Sequence, residues 1–341
     1  MNSTEIKELK SLLNSPKKIV IVPHKNPDGD AIGSTVGLCN FLKNKNHQAT
    51  VIAPNDYPEF LKWVPGQEEV VIFDKNQEEA KQLITGADII FTLDFNHFSR
   101  TGPVMEPVLA SAKTTFVMID HHQQPDNYAK YTFSDVSYSS TCEMVYHFIE
   151  MLDETQYITP AIASALYLGI MTDTGSFRFP STTSTTHRVI ADLIDKGAKN
   201  SAIHQDTFDN SSYERFQLLG VALRNMKIVP EYKTAYITLS QEELDNHNFK
   251  KGDTEGFVNY SLGIKGIIFA AIFIENKADK IIKISLRSKG DFDVNQFSRN
   301  HFHGGGHINA AGGKSDDSLE ETTKKFEALL VDYQKELKNE N

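Results

Sequence analysis

Three short apolar runs in the first 122 residues end in carboxylates and imidazoles. IVIVPHKNPDGD carries His24, Asp28 and Asp30; IIFTLDFNHFSR carries Asp94; TTFVMIDHH carries Asp120, His121 and His122. A fourth acid, Asp173 in GIMTDTGSF, ends an apolar helical stretch, and Gly175 permits the chain to turn there. Oxygen and imidazole donors without thiolate suit Mn²⁺ or Mg²⁺, with Co²⁺ or Zn²⁺ as in vitro alternatives. Left bare, so many acids would repel one another. Two cations held ~3.5 to 4 Å apart would relieve that repulsion, and a shared carboxylate plus a shared water is an arrangement that serves in-line phosphoryl hydrolysis.

Each of these residues has a plainer use. Asp30 suits an N-cap for a helix beginning at 31, Asn26-Pro27-Asp28-Gly29 suits a turn, and a strand-end aspartate such as Asp94 suits a cap. Adjacent His121 and His122 after an all-apolar strand serve no packing purpose. The convergence of four such signals on one sheet edge outweighs their separate plain readings.

A second group lies late in the chain. GGGH (304–307) reads as a glycine turn whose backbone N–H groups can approach an anion, with His307 as a further donor. Arg287 in SLRS ends a predicted strand, where a guanidinium can grip a phosphate through two hydrogen bonds. Arg100, six residues after Asp94, is a third anion-facing candidate, whereas Lys265 and Lys289 read as solvent-facing charges.

The elements that must position these groups follow from patterning. KKIVIVP (17–23), ATVIAP (49–54), ADIIFTLD (87–94) and TTFVMID (114–120) read as strands, alternating with helical stretches such as AIGSTVGLCNFLKNK (31–45). That alternation predicts an α/β fold with a mostly parallel sheet flanked by helices. In such a sheet, ligands bind outside the carboxyl ends of the strands. STCEMVYHFIEML (140–152) opens with a capping-box pattern at Ser140 and Glu143, and Thr159-Pro160 opens another helix. Beyond 180 the texture changes to two linking helices, three strands (NMKIVPEYKTAYITLS, GIIFAAIFIEN, KIIKISLRSKG), the glycine-rich turn and an amphipathic helix at 318–337. The expected division is a domain at 1–195, a helical linker at 196–225 and a smaller α/β domain at 226–341, with the boundary falling between 190 and 225.

Composition narrows the partners. A net charge of −10 argues against coating long nucleic acid, because such binding rests on clustered Lys and Arg. The two cysteines, Cys39 and Cys142, form no CxxC, which disfavours both a disulfide framework and a thiolate zinc site. The N-terminal stretch has no apolar export region and no apolar run approaches ~20 residues, so the expectation is a cytoplasmic protein without a membrane partner.

With these residues assembled, the sequence resembles the DHH phosphoesterase family, in the subgroup that carries a C-terminal DHHA1 domain. The pattern HxxxDxD is met by His24, Asp28 and Asp30, and the second-motif aspartate by Asp94. Asp120-His121-His122 supply the name-giving DHH, Asp173 the fourth motif, and GGGH at 304–307 the DHHA1 signature. The match runs over nearly the whole chain, in order and with every ligand in place.

The resemblance implies a manganese-dependent hydrolase with its active site in the cleft between two domains. By resemblance, His24, Asp28 and Asp94 hold one cation, and Asp30, Asp94, His121 and Asp173 hold the other, with Asp94 bridging. Asp120 then orients a neighbour, His122 faces the scissile phosphate, and Arg287 with Gly304, Gly305, Gly306 and His307 grips the rest of the substrate.

In length and layout the chain is similar to small bacterial members that cleave very short oligoribonucleotides (nanoRNA, including dinucleotides such as pApA) and remove the 3′-phosphate of adenosine 3′,5′-bisphosphate. The expected partner is therefore a small nucleotide or short single-stranded RNA, with a homodimer as the assembly to test. Competing expectations are a manganese-dependent pyrophosphatase or exopolyphosphatase, and a nucleotide-binding module that does not cut.

Overall fold

KIVIV and IIFTL are nearly continuous apolar runs, and both are buried over almost their whole length. Strands of that kind belong in a parallel sheet covered on both faces. In the computed structural model, which describes residues 1–338, they are the two central strands of such a sheet. The final residues of the expected second domain, 339–341, lie outside the described residues.

The chain divides into two compact units, Met1–Asn210 and the remainder from Ser211. In the first, strands β1 (Lys18–Val22), β2 (Gln48–Ala53), β3 (Val71–Ile72), β4 (Ile89–Leu93), β5 (Thr115–Asp120) and β6 (Tyr131–Ser134) form one sheet in the order β3-β2-β1-β4-β5-β6. Every pairing is parallel, with Ile21 opposite Phe91 between β1 and β4 and Phe91 opposite Val117 between β4 and β5.

Helices α1 (Ser3–Leu12), α2 (Gly29–Asn44), α3 (Gln77–Thr85), α4 (Glu106–Ser111), α5 (Thr141–Met151), α6 (Pro160–Asp173), α7 (Ser184–Asp195) and α8 (Asn200–Phe208) surround it. Leu9, Ile32, Phe148, Leu166, Leu193 and Ile203 share a core with Ile19, Ile21 and Phe91, so α1, α2 and α5 to α8 cover one face. Ala80, Ile84 and Leu109 pack with Val20, Val22 and Ile90, which assigns α3 and α4 to the other. Strand order reverses between β1 and β4, and that switch point is where doubly wound sheets hold ligands.

The second unit holds α9 (Tyr213–Arg224), β7 (Lys227–Val229), β8 (Thr234–Leu239), α10 (Gln241–Asn246), α11 (Phe257–Leu262), β9 (Phe269–Asn276), β10 (Ile281–Ser288), α12 (Val294–His301), β11 (Gly305–His307), β12 (Ala310–Ser315), α13 (Leu319–Leu329) and α14 (Gln334–Lys338). Its sheet runs β11-β12-β10-β9-β8-β7; only β8 and β9 pair in parallel. Phe269, Phe273, Phe297 and Phe326 form the centre of its core.

Several local expectations change in the fold. Residues 196–225 do not form one linker: Ile203 of α8 joins the core of the first unit, and Leu218 and Ala222 of α9 join a core of the second. The run 225–240 is two antiparallel strands, because Pro230–Tyr232 makes a tight turn closed by Lys233 in left-handed backbone (φ +48°). The terminal helix is interrupted after Leu329, which brings Tyr333 against Phe297 and its hydroxyl 2.8 Å from His301 Nε2.

The box at Ser140 forms by half. Ser140 accepts the Glu143 N–H at 3.1 Å, while the buried Glu143 carboxylate accepts from Ser139 N–H and from the Thr186 hydroxyl, each at 3.1 Å.

The glycine-rich turn is instead an edge hairpin, with Gly305 opposite Gly312 and His307 opposite Ala310. Gly304 is required by close approach, since a Cβ there would lie 1.9 Å from the Gly312 carbonyl oxygen.

Candidate active site

His24 follows β1, and its ring is anchored by Nδ1–H donating to the Lys25 carbonyl at 2.9 Å. A carbonyl can only accept, so Nε2 is the nitrogen left to face the site, 3.3 Å from Asp94 Oδ2 and 3.8 Å from Asp28 Oδ2. His121 repeats the device. Its Nδ1–H donates to the Tyr138 carbonyl at 3.4 Å, and Nε2 faces Asp173 Oδ2 at 3.4 Å, Asp94 Oδ1 at 3.5 Å and Asp30 Oδ2 at 3.8 Å.

Asp94 stands between the two imidazoles, presenting Oδ2 to one and Oδ1 to the other. Its backbone is left-handed, with φ +63°, held by its N–H donating to Ile119 O at 3.1 Å. A non-glycine residue pays for that conformation, and such strain gathers at functional sites.

The HKNPDGD loop serves structure and site together. Asp28, not Asp30, caps α2: its Oδ1 accepts the N–H groups of Asp30 (3.1 Å) and Ala31 (3.0 Å), while Oδ2 faces His24. Asn26, with φ +57°, is pinned by Asn55, which accepts its N–H at 2.7 Å. Asp30, almost fully buried, turns to the start of α5 and accepts the N–H groups of Thr141 at 2.7 Å and Cys142 at 2.8 Å. Gly169 of α6 makes room for this carboxylate: a Cβ there would lie 2.7 Å from Asp30 Oδ1 and 2.1 Å from Cys142 Sγ.

The electrostatics follow from burial among unlike and like charges. Burial opposes protonation of His24 and His121. The hydrogen bond each makes with Asp94, with nearby carboxylates, outweighs it, so His24 is raised and His121 raised well above the ordinary value. Arg100, exposed after β4, opposes that rise at His24. Burial pushes Asp30 well up, aided by repulsion from Asp94 and Asp173. Asp94 is held well below the usual carboxylate range, because hydrogen bonds with His121 and His24 overcome its burial. Burial, with Asp28 and Asp94 adding repulsion against a counteracting His121, pushes Asp173 up to about 7.

All the metal-ligand candidates of the first unit thus meet at the β1–β4 switch point. The donor set fits divalent cations: each imidazole donates one ring N–H to a backbone carbonyl and points the other nitrogen at carboxylates, which is how ligating histidines are held. Three of the groups these contacts define, His24 with Asp28 and Asp94, Asp30 with Asp94 and His121, and Asp94 with Asp120 and His122, have donor atoms mutually within 4.8 Å.

Sequence reasoning missed Asn96, whose Nδ2–H donates to the carbonyls of His122 (3.2 Å) and Gln123 (3.0 Å), and Thr141, whose hydroxyl donates to Asp94 Oδ1 at 3.0 Å. Neither carries a local signal beyond an apolar neighbour or a helix start.

In the second unit, Arg287 pairs across the sheet with Ala310, and Ala310 with His307. The two side chains therefore project from one rung on the same face, two strands or ~10 Å apart, with an alanine between them. The N–H of Gly304 donates to Ser298 O at 3.3 Å and that of Gly306 to Asn295 Oδ1 at 2.9 Å, so these two amides are committed inside the unit. Lys265 and Lys289 are exposed.

Residues 18–170 match the DHH family N-terminal domain and residues 231–337 the DHHA1 domain. The bifunctional oligoribonuclease and PAP phosphatase NrnA of Thermus thermophilus is 31% identical, the alignment covering 86% of this chain and 83% of that protein. The chain belongs to the DHH phosphoesterase family. Within it, the NrnA of Bacillus subtilis is 27% identical over 86% of this chain and 88% of its own length. The crystal structure of an exopolyphosphatase-related protein from Bacteroides fragilis superposes with a TM-score of 0.94 at 39% identity, covering 99% of this chain and 98% of that one. Among the described residues no helix is long and apolar enough to cross a membrane.

Proposed function

We propose that this DHH phosphoesterase hydrolyses phosphoester bonds in small nucleotides, namely short oligoribonucleotides and adenosine 3′,5′-bisphosphate, with two divalent cations bound, Mn²⁺ first among them. The observation that carries the reading is Asp94, which offers a separate oxygen to each of two buried imidazoles. His24, Asp28 and Asp94 would hold one cation; Asp30, Asp94, His121 and Asp173 would hold the other. When bound, the cations would offset the negative charge of the phosphate and make a water nucleophile available near neutral pH.

The chain's own residues do the rest. Asp120 orients His122, whose ring then hydrogen-bonds the phosphate or the leaving oxygen. Arg287 and His307 serve as substrate-binding groups, and Arg100 is a further cation for the phosphate. The edge hairpin that begins at Gly304, Gly305 and Gly306 keeps His307 on that rung. A nucleotide of a few residues also suits a chain of net charge −10, which has no need of a long basic groove. Its two buried cysteines are free thiols, in keeping with a reducing cytoplasm.

The names of the two NrnA relatives support the nucleotide substrates; that of the B. fragilis relative supports a phosphoanhydride as second reading. The test is to incubate protein and Mn²⁺ with a diribonucleotide, adenosine 3′,5′-bisphosphate and pyrophosphate in parallel and to resolve the products chromatographically. Mononucleotides or AMP are expected. Cleavage of pyrophosphate alone would move the protein to the phosphoanhydride branch, and no cleavage of any of them would leave a binding module.

A further inference from the structure

We propose that Thr141 is a positioning residue for the cation site, fixing through one hydroxyl and one backbone amide two of the three carboxylates that face His121, Asp94 and Asp30; the inference rests on the two-cation reading above. Thr141 is fully buried at the first position of α5. Its hydroxyl donates to Asp94 Oδ1 at 3.0 Å and its N–H to Asp30 Oδ2 at 2.7 Å, while the next N–H, that of Cys142, donates to Asp30 Oδ1 at 2.8 Å.

A helix leaves its first N–H groups without intrahelical partners. In α5 they are divided: Ser140 takes that of Glu143, and Asp30, from 111 residues earlier, takes the first two. A carboxylate so placed also meets the positive end of the helix dipole. Asp94 Oδ1, the oxygen that Thr141 holds, is the one turned to His121, so the hydroxyl fixes the rotation of the carboxylate that gives one oxygen to each imidazole. Two carboxylates packed among other acids would otherwise rotate apart. The helix start thereby orients both carboxylates, as the outer partners of metal-ligating groups do.

The test compares Thr141→Val, which keeps the shape and removes the hydroxyl, with Thr141→Ser, which keeps the hydroxyl. Mn²⁺ binding to EDTA-treated, dialysed full-length protein is titrated by isothermal calorimetry, and melting in EDTA is followed in parallel. We expect Thr141→Val to weaken at least one Mn²⁺ site about 10- to 100-fold, the usual cost of losing such a partner, and Thr141→Ser to bind as wild type does. Thr141→Ala replaces the valine variant if that one does not melt cooperatively. Wild-type affinity in the hydroxyl-free variant, or equal weakening in Thr141→Ser, would overturn the positioning role while leaving the proposed function intact. Wild-type protein that takes up no Mn²⁺ would overturn both.

Discussion

Asp120 Oδ1 lies 2.7 Å from His122 Nδ1, and Asp120 Oδ2 accepts the His122 backbone N–H at 3.0 Å. One fully buried carboxylate therefore fixes both the ring and the peptide N–H of the histidine two residues on. With Nδ1–H donating to the carboxylate, Nε2 is the nitrogen on the opposite edge of the ring, the one the proposed function assigns to the phosphate. Asp120→Asn should keep the fold and the cations but disturb the tautomer. The expected result is a fall in kcat of about 100-fold or more, the scale of a positioned acid or base, with Mn²⁺ content by atomic absorption unchanged. Loss of Mn²⁺ from this variant would make Asp120 a ligand instead.

Asp94 faces both imidazoles, so its removal should cost more than that of any other acid in the site. Asp94→Asn is the cleaner variant, because Asn tolerates the left-handed backbone that Ala would adopt at about 1–2 kcal/mol. We expect no measurable turnover and Mn²⁺ affinity lowered by more than about 100-fold, with an unchanged circular dichroism spectrum. Turnover near wild type would count against a shared carboxylate.

The pH dependence has a definite sign. Asp173 titrates at about 7 in the fold against an ordinary 3.8, so between those values the folded state binds the proton more tightly than the unfolded chain. The stability this proton contributes is complete below 3.8 and is lost as pH rises through about 7. His121, raised well above 6.5, adds a loss of the same sign at higher pH. Asp94, held low, acts oppositely and only in acid. The metal-free protein should therefore lose melting temperature from about pH 5.5 to about pH 8.5, and the gain on adding Mn²⁺ should grow over that range as cation replaces proton. A gain independent of pH would contradict this.

Gly169 faces Cys142 Sγ and Asp30 Oδ1 more closely than any Cβ allows. Gly169→Ala should push α6 away and destabilise by about 1–3 kcal/mol, the cost of overpacking. Pairing it with Cys142→Ala should restore part of the loss in calorimetric melting, since the sulfur is the nearest obstacle.

Arg287→Ala should raise KM for a diribonucleotide while Mn²⁺ binding stays as in wild type, because the residue belongs to the second unit and not to the cation cluster. Steady-state kinetics beside a Mn²⁺ titration separates the two; lost cation binding would contradict the division of labour.

Much of the site was legible in the chain. Buried parallel strands need apolar runs on both faces, so Val22, Leu93 and Ile119 announce where strands end, and every parallel strand ends at the same edge of its sheet. His24, Asp94 and Asp120 to His122 could therefore be brought together without coordinates. Weaker patterns escaped. Val71–Ile72 is too short to read as a strand, and Tyr131–Ser134 alternates polarity at a sheet edge. Asp28 has two neighbours that no local pattern foretold together, since one oxygen caps α2, a place the sequence offered to Asp30, and the other faces His24.

By itself, then, the sequence determined the donor types, their order and the sheet edge that collects them, because apolar periodicity and residue chemistry are local properties. Only the tertiary structure decided which atom faces which. The bonds from Thr141 to Asp30 and Asp94, from Asn96 to the His122 carbonyl, and the rung shared by Arg287 and His307 join residues far apart in the chain. Their geometry depends on strand register and on helix contacts as close as that at Gly169, and neither leaves a pattern in the neighbouring residues.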